Sequence, residues 1–419
     1  MMTEAKANAV SQDVVALGAT RTLTTVSDAA GNGVGWLALN ASSRPRAVGG
    51  IRCTPDLDPP KVRALADAMS WKFAWLGMPM GGAKAGLIQD PEWTPEARRE
   101  AIRAFGKALG PHLRSRMYGA GTDMGFGPED LWEFQVGAGR VSGPPPPPSQ
   151  RGDTGEATAL TVFACVVEAL RARRGNVSGA TAAIEGIGAV GAALAGMLAE
   201  AGVRVTGVSN RLTAVHDPAG LDVSRILHLR SEQGDAGLES YESGDRIGHA
   251  DLLELEVDVL VPCAAHWSLN ADNADRLRCR SVVAAANCPI HPELGESGLE
   301  SRGILVVPDF VANSGGILYA NIPATNGTRR ELLRTLYPEA IARLFAVANE
   351  AGRTVTETAR GAAVRRAARV ADDVTRAAAE QFELDRAFAR RRSGPGRRLF
   401  GERAGLDLAR RWLDPAEVG

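Results

Sequence analysis

At 419 residues the chain is too long for one ordinary hydrophobic core, and its length points to two domains. With 45% hydrophobic residues, 47 glycines and few aromatics it reads as an alanine- and glycine-rich α/β protein, which excludes the disordered and fibrous classes. The 48 basic residues against 49 acidic ones leave a net charge of −1, so no global field draws in nucleic acid or an anionic membrane, and small molecules are the expected partners.

The opening residues MMTEAKANAVSQD carry no apolar run of the signal-peptide kind, and no stretch approaches the roughly 18 to 20 apolar residues that span a bilayer. Five cysteines, Cys53, Cys165, Cys263, Cys279 and Cys288, lack the close spacing of a zinc site or a disulfide framework. The expectation is a cytoplasmic protein with no metal site. VVALGAT, TLTTVSD and GWLALNAS then read as short strands parted by Gly, Asp and Asn turn signals. Helices follow over DPPKVRALADAMSWKFAWLG and TPEARREAIRAFGKALGPHL, the second with Thr94 as N-cap and Pro95 as its first residue.

The run GPPPPPSQRGDTG, Gly143 to Gly155, excludes helix and central strand because proline has no amide donor and a fixed φ; it reads as a linker. A helix over ATALTVFACVVEALRARRG comes next. TAAIEGIGAVGAALAGMLAEAGVRVTGVS then reads strand, tight glycine turn, helix, strand, which is one βαβ unit. DVLVPCAA, SVVAAANCPI and GILVVPDFVANSGG add β-branched runs ending in Pro, Asn or Gly, as parallel strands of an open sheet do. From Arg329 to Phe388 the pattern is helical, and FARRRSGPGRRLFGERAG is expected to be a mobile terminus. The expected architecture is α/β with two domains. Residues 1–155, completed by C-terminal helices over 321–419, form an N-terminal α/β substrate-binding and assembly domain, and 156–320 form a Rossmann-type doubly wound dinucleotide-binding domain.

Gly186, Gly188 and Gly191 make a GxGxxG between an apolar strand and an alanine-rich helix, where the backbone turns tightly and approaches a pyrophosphate at a helix N-terminus. About 20 residues on, where an acid ordinarily binds the ribose 2′-hydroxyl, stands Asn210, flanked by Ser209 and Arg211. The cofactor is therefore NAD or NADP: arginine and serine tilt the site toward tolerating a 2′-phosphate, and Arg211 reads equally well as a solvated surface residue.

Lys72 lies near the end of the first helix, between Trp71 and Phe73, and Lys84 follows twelve residues on in what reads as a glycine-flanked turn. A lysine desolvated beside a second cation has its pKa lowered toward neutrality and becomes a usable acid or base. Asp123 stands in another glycine-rich turn, YGAGTDMG. Here the sequence resembles the glutamate, leucine, phenylalanine and valine dehydrogenases, through VGGIR, MSWKFA, PMGGAKAG, GTDMG, EATALTV, GIGAVG, AAAN, PDF and NSGG, in order from about Pro45 to Ala320. The resemblance implies that the chain reversibly deaminates an L-amino acid to its 2-oxo acid and ammonium, and that it forms a homo-oligomer. It further implies that Lys72 binds the substrate carboxylate, Lys84 activates the water that attacks the imino group, and Asp123 carries protons to and from nitrogen. Gly49, Gly50 and Asn313 belong to the substrate site, and Thr158 and Asn287 to the nicotinamide site. Ala85, where glycine is common, departs from the family pattern, and the polyproline run and arginine-rich end have no counterpart in it.

In the glutamate enzymes a lysine precedes the GGxR segment and a serine follows the NxGG turn, and both serve the substrate's side-chain carboxylate. This chain has Val48 and Ala320 there, with Ile317 nearby. Burying an unpaired carboxylate against such residues costs several kcal/mol, on the order of the penalty for any unpaired buried charge. The expected substrate is apolar, leucine- or valine-like, with Arg52 as a cation that could turn toward the pocket. Two other readings stand beside it: a glutamate dehydrogenase with a rearranged side-chain site, and a catalytically silent dinucleotide-binding regulator. Retention of Lys72, Lys84 and Asp123 together speaks against the silent protein. A nucleic-acid role for the arginine-rich end lacks interleaved aromatics.

Overall fold

The structure, a computed structural model, describes residues 22–27, 31, 33–40, 46–143, 145, 154–264, 266–322, 324–372 and 406–418. The expected strand VVALGAT, most of the polyproline run and the arginine-rich segment lie outside them. The described residues divide into two units, one from Met1–Gly152 with Ala363–Arg386, the other from Asp153–Ala362 with Ala387–Gly419.

The first unit is built on a five-stranded sheet of β1 (Thr22–Ser27), β2 (Gly33–Asn40), β3 (Ala47–Thr54), β4 (Gly81–Ile88) and β5 (Tyr118–Gly121), in the order β1-β2-β4-β3-β5. The first two junctions are antiparallel; β3 runs parallel to β4 and to β5. Successive strand side chains alternate between faces. Leu37, Leu39, Ala47, Ile51, Ala83, Ala85 and Leu87 therefore meet Ile102, Phe105 and Phe134 of helices α2 (Pro95–Arg114) and α3 (Pro128–Gly137). The opposite face, with Trp36 and Ala38, packs on Leu57 and on Val62 and Ala66 of α1 (Pro59–Trp75). Asp58 caps α1, accepting from the Lys61 amide at 2.8 Å.

PMGGAKAG is a strand, β4, and not the turn its glycines imply. Those glycines serve close packing: a Cβ on Gly82 would lie 2.2 Å from the Ala66 carbonyl oxygen, and one on Gly86 2.3 Å from Leu57 Cδ2.

In the second unit α4 (Thr154–Arg174) leads into a seven-stranded sheet. Its strands are β6 (Thr181–Glu185), β7 (Arg204–Ser209), β8 (Ala214–His216), β9 (Asp245–Ile247), β10 (Val259–Pro262), β11 (Ser281–Val283) and β12 (Leu305–Val307), ordered β12-β11-β10-β6-β7-β8-β9. The first five positions in that order are parallel, and β8 and β9 extend the edge antiparallel. Strand order reverses between β6 and β10, the topological switch point where α/β sheets bind ligands. Helix α5 (Ala189–Glu200) joins β6 to β7.

The passage back to the first unit falls inside α8 (Val355–Asp372), between Ala362 and Ala363, where the sequence suggests residue 321. Two helices precede α8, α6 (Gly315–Asn321) and α7 (Asn326–Glu350). Helix α7 belongs to the second unit because its polar groups are satisfied there. Arg330 pairs with Glu156 of α4 at 2.8 Å, and the Tyr337 hydroxyl meets Ser314 Oγ at 2.9 Å. The first turns of α8 follow, with Thr356 on the Val306 carbonyl and Arg360 on Glu296.

Candidate active site

Strand register decides which side chains of the first unit meet. Val48 pairs with Gly82 and Arg52 with Gly86, and paired residues share a face. Gly82 and Gly86 face α1, so Val48, Gly50, Arg52 and Lys84 do as well, at the period-2 spacing of β3 and β4. Lys84 is 3% exposed and its ammonium forms an ion pair with Asp123 Oδ2. Arg52, 6% exposed, brings Nε to 3.4 Å from the same oxygen. Burial alone would push the Asp123 carboxyl up; the Lys84 ammonium and the Arg52 guanidinium overcome it and, with a backbone hydrogen bond at Met124, hold the group well below the usual carboxylate range. Lys72 stands in the last turn of α1, 4% exposed, and α1 is fastened to β4 by the Gly82 amide donating to Ser70 Oγ at 3.2 Å.

Gly49 and Gly50 have steric reasons for their identity. A Cβ on Gly49 would lie 1.6 Å from the Ala83 carbonyl oxygen, and one on Gly50 2.4 Å from that of Thr122. The Gly49 carbonyl accepts from the buried Tyr118 hydroxyl at 3.0 Å. Burial, with the Asp123 charge adding to it, pushes that phenol far above its ordinary value, so it is a fixed donor. Lys72, Lys84, Asp123, Val48, Gly49 and Gly50 thus belong to one unit, and Arg52 joins them.

In the second unit Gly186 turns at φ 96, and a Cβ on Gly191 would lie 2.0 Å from the Gly186 carbonyl oxygen, so the start of α5 is pressed onto the turn. Gly188 is the N-cap of α5, makes no side-chain cap hydrogen bond and has open space where a Cβ would be. The start of this twelve-residue helix is therefore unobstructed at Gly188, which fits a pyrophosphate at its first amides. Ser209 Oγ accepts from the Gly186 amide at 3.1 Å and steadies the turn. Ser209 is thus turned inward, 2% exposed, with its oxygen engaged by the glycine turn.

Asn210 is committed to its own loop. Its Oδ1 accepts from the amides of Leu212 and Thr213, at 2.9 and 3.0 Å, and Nδ2 donates to the Asp235 carbonyl at 2.6 Å. Arg211 is largely exposed and paired with Asp235.

Asn313, Gly316, Ile317 and Ala320 fall at spacings of three, four and seven residues, which is one face of a helical turn. Ala320 is exposed and Ile317 half-buried, while Leu318 and Tyr319 point into the core. Asn313 Nδ2 donates to the carbonyls of Ala285 and Ala286, at 3.1 and 3.0 Å, and to Asn287 Oδ1 at 3.3 Å. Its Oδ1 is a buried acceptor with no hydrogen bond among the described residues, as a residue that receives a ligand donor would have. A Cβ on Gly316 would lie 2.9 Å from Thr158 Oγ1, so Thr158 lies against this same segment. Asn313, Asn287 and Thr158 are thereby gathered in the second unit, whereas Val48 belongs to the first.

The sequence leaves Arg52 as a cation that could turn toward a side-chain pocket. The structure directs it to Asp123; its even spacing from Val48 and Gly50 marks the strand face it shares with them but not its partner. Among the described residues no group of three His, Cys, Asp or Glu side chains could hold a metal ion, and no helix is long and apolar enough to cross a membrane. The five cysteines are free thiols.

Two family descriptions match the chain: "Glu/Leu/Phe/Val dehydrogenase, dimerisation domain" over residues 22–134 and "Glutamate/Leucine/Phenylalanine/Valine dehydrogenase" over residues 152–380. A glutamate dehydrogenase of Thermotoga maritima is 35% identical over 294 residues, which are 68% of this chain and 70% of that protein. An NAD-specific glutamate dehydrogenase of Staphylococcus aureus is 32% identical over 279 residues, 64% of this chain and 66% of its own. Among solved structures, the hetero-hexameric glutamate dehydrogenase of Thermus thermophilus in its Leu-bound form superposes with a TM-score of 0.70 at 24% identity, covering 88% of this chain and 95% of that one. The L-tryptophan dehydrogenase of Nostoc punctiforme gives 0.57 at 22%, covering 87% and 99%. At these identities the superpositions speak for the fold, and the sequence matches speak for descent: the chain belongs to the glutamate/leucine/phenylalanine/valine dehydrogenase family of NAD(P)-dependent amino acid dehydrogenases.

Proposed function

We propose that the chain catalyses the reversible oxidative deamination of an apolar, leucine- or valine-like L-amino acid to its 2-oxo acid and ammonium. The observation that carries the reading is the buried Lys84–Asp123 pair, with Lys72 close in sequence on the helix that packs against the same sheet. Lys72 clamps the substrate α-carboxylate, and the Asn313 Oδ1 acceptor takes a donor of the substrate. Asp123 accepts a proton from the substrate nitrogen, because Cα releases hydride only when the amine is neutral. The amides that open α5 would hold the pyrophosphate of NAD or NADP, and Thr158 and Asn287 its nicotinamide, which when bound would supply the hydride acceptor. Lys84, neutral once its ammonium proton has passed to solvent, then takes a proton from the water that adds to the imino carbon; Asp123 returns one to the nitrogen, and the hydroxyl proton leaves with the departing ammonia as ammonium while the carbonyl forms.

Side-chain preference rests on Val48 and Ala320, neither of which can pair a carboxylate. Arg52, a cation of the same strand face, is turned to Asp123 at 3.4 Å. The second reading, a glutamate dehydrogenase with a rearranged side-chain site, is favoured by the names of the sequence relatives. A panel of leucine, valine, phenylalanine and glutamate with NAD and NADP decides between them: kcat/KM is expected to be highest for the branched substrates, and a preference for glutamate overturns the apolar reading. Assembly as a homo-oligomer through residues 22–134, which match a dimerisation domain, and a cytoplasmic location belong to the same proposal.

A further inference from the structure

We propose that Arg98 of α2 and Asp130 of α3 are positioning residues for Asp123, holding by a charged fork the turn that aims its carboxylate; the inference rests on the reading of Asp123 as the proton carrier. The turn is short and closed on itself: the Asp123 amide donates to the Phe126 carbonyl at 3.2 Å and the Phe126 amide to that of Asp123 at 2.9 Å. Its two middle residues are each held from outside. The Met124 carbonyl accepts from the Cys53 amide of β3 at 3.0 Å. That of Gly125 accepts from Arg98 Nη2 at 2.6 Å.

Gly125 sits at φ 69, and a Cβ there would lie 1.9 Å from the Cys53 carbonyl oxygen, so the turn has no slack toward β3. Arg98 is itself fixed by Asp130, through Nε to Oδ1 at 3.3 Å and Nη2 to Oδ2 at 2.8 Å, a bidentate geometry that sets direction as well as distance. Asp130 Oδ2 also accepts from the Gly127 amide at 2.9 Å, tying the exit of the turn to the start of α3. A guanidinium alone reaches both the carbonyl and the carboxylate in one plane; a lysine ammonium has no such fork.

Surface ion pairs commonly contribute little to stability. This one, a quarter exposed, acts on geometry: its loss lets Asp123 drift from Lys84, and a misplacement of about 1 Å lowers turnover about 100-fold. The test compares Arg98→Ala and Asp130→Asn with wild type and with Asp123→Asn, reading kcat, dinucleotide Kd, melting temperature and recovery of kcat by added guanidinium. The expected result is a kcat loss of about 10- to 100-fold in both variants with dinucleotide affinity unchanged, and a several-fold recovery by guanidinium in Arg98→Ala alone. Wild-type kcat in Asp130→Asn, or a loss in Arg98→Ala that guanidinium does not touch, overturns the proposal. Asp130→Asn is isosteric, so it keeps the test open if Arg98→Ala fails to fold. Turnover retained in Asp123→Asn would instead remove the reading of Asp123 itself.

Discussion

The two units present their ligand-facing groups in opposite ways. In the first, the chemistry is carried by side chains taken out of water: the Lys84 and Asp123 side chains are 3% and 12% exposed, and each charge is held by another charge. In the second, the proposed pyrophosphate site is backbone, a glycine turn and the first amides of a helix, with no ionised group required. The difference follows from what each must do. Proton transfer needs groups whose ionisation can be tuned, and burial beside cations tunes it; anion binding needs only donors fixed in place before the ligand arrives. Substitutions should therefore act on charge in the first unit and on steric fit in the second.

The largest effect is expected from Lys84→Ala, which removes the water-activating group and leaves Asp123 with Arg52 as its counter-ion. Turnover should fall by about 100- to 10,000-fold, the usual range for a lost general acid or base, while dinucleotide Kd stays within about twofold. Steady-state kinetics and titration of reduced-dinucleotide fluorescence measure the two separately. A Kd that weakened with kcat would break the division of labour between the units. Gly191→Ala should act the other way round. Its Cβ would lie 2.0 Å from the Gly186 carbonyl oxygen, so the turn must move and dinucleotide affinity should drop by about tenfold or more, a loss of a hydrogen bond or two at the pyrophosphate. An unchanged Kd in a folded protein would mean that the turn does not hold the cofactor.

The same contrast explains what the sequence made legible. The βαβ unit could be read because GxGxxG between an apolar run and an alanine-rich run has few other physical uses. Lys84 was harder: glycines signal turns, and nothing local tells that Gly82 and Gly86 are instead the price of α1 lying directly on β4. The contact between Arg52 and Asp123 joins residues far apart in the chain, so no local pattern carries it. The short edge strands β8 and β9 are three residues each, below what alternation can mark. The unit to which α7 belongs is not legible, because its helical pattern shows that one face is buried but not against what; Arg330 and Tyr337 make the choice only in three dimensions.

Side-chain preference is proposed to rest on Val48 of the first unit and Ala320 of the second. Val48→Lys with Ala320→Ser should raise kcat/KM for glutamate relative to leucine by tens- to thousands-fold, since a newly paired, partly buried carboxylate is worth on the order of 2 to 5 kcal/mol. Val48 is half-buried and Ala320 exposed, so room for the longer side chains exists without opening the core. An unchanged ratio in a double variant that melts like wild type would remove the reason for an apolar substrate.

The smallest effect is expected at the dinucleotide edge, from Asn210→Asp. An acid at this position accepts from both ribose hydroxyls of NAD and repels the 2′-phosphate of NADP. In this chain the side chain is already employed. Its Oδ1 holds the Leu212 and Thr213 amides, a role that aspartate can keep, while its Nδ2 donates to the Asp235 carbonyl, a role that aspartate must lose. A carboxylate oxygen facing that carbonyl is repelled, so the second oxygen should swing out of the loop at a cost of about 1 kcal/mol, the worth of one lost hydrogen bond. Swinging out is what brings it to the ribose. The ratio of kcat/KM for NAD over NADP should then rise by about tenfold, corresponding to about 1.4 kcal/mol of discrimination, with a drop of a few degrees in melting temperature. Arg211, paired with Asp235 and largely exposed, would offset part of the gain if it turned toward a 2′-phosphate, and adding Arg211→Ala separates the two contributions. A lower melting temperature with no change in the cofactor ratio would mean that residue 210 closes the loop and does nothing else, leaving cofactor choice to other residues of this edge.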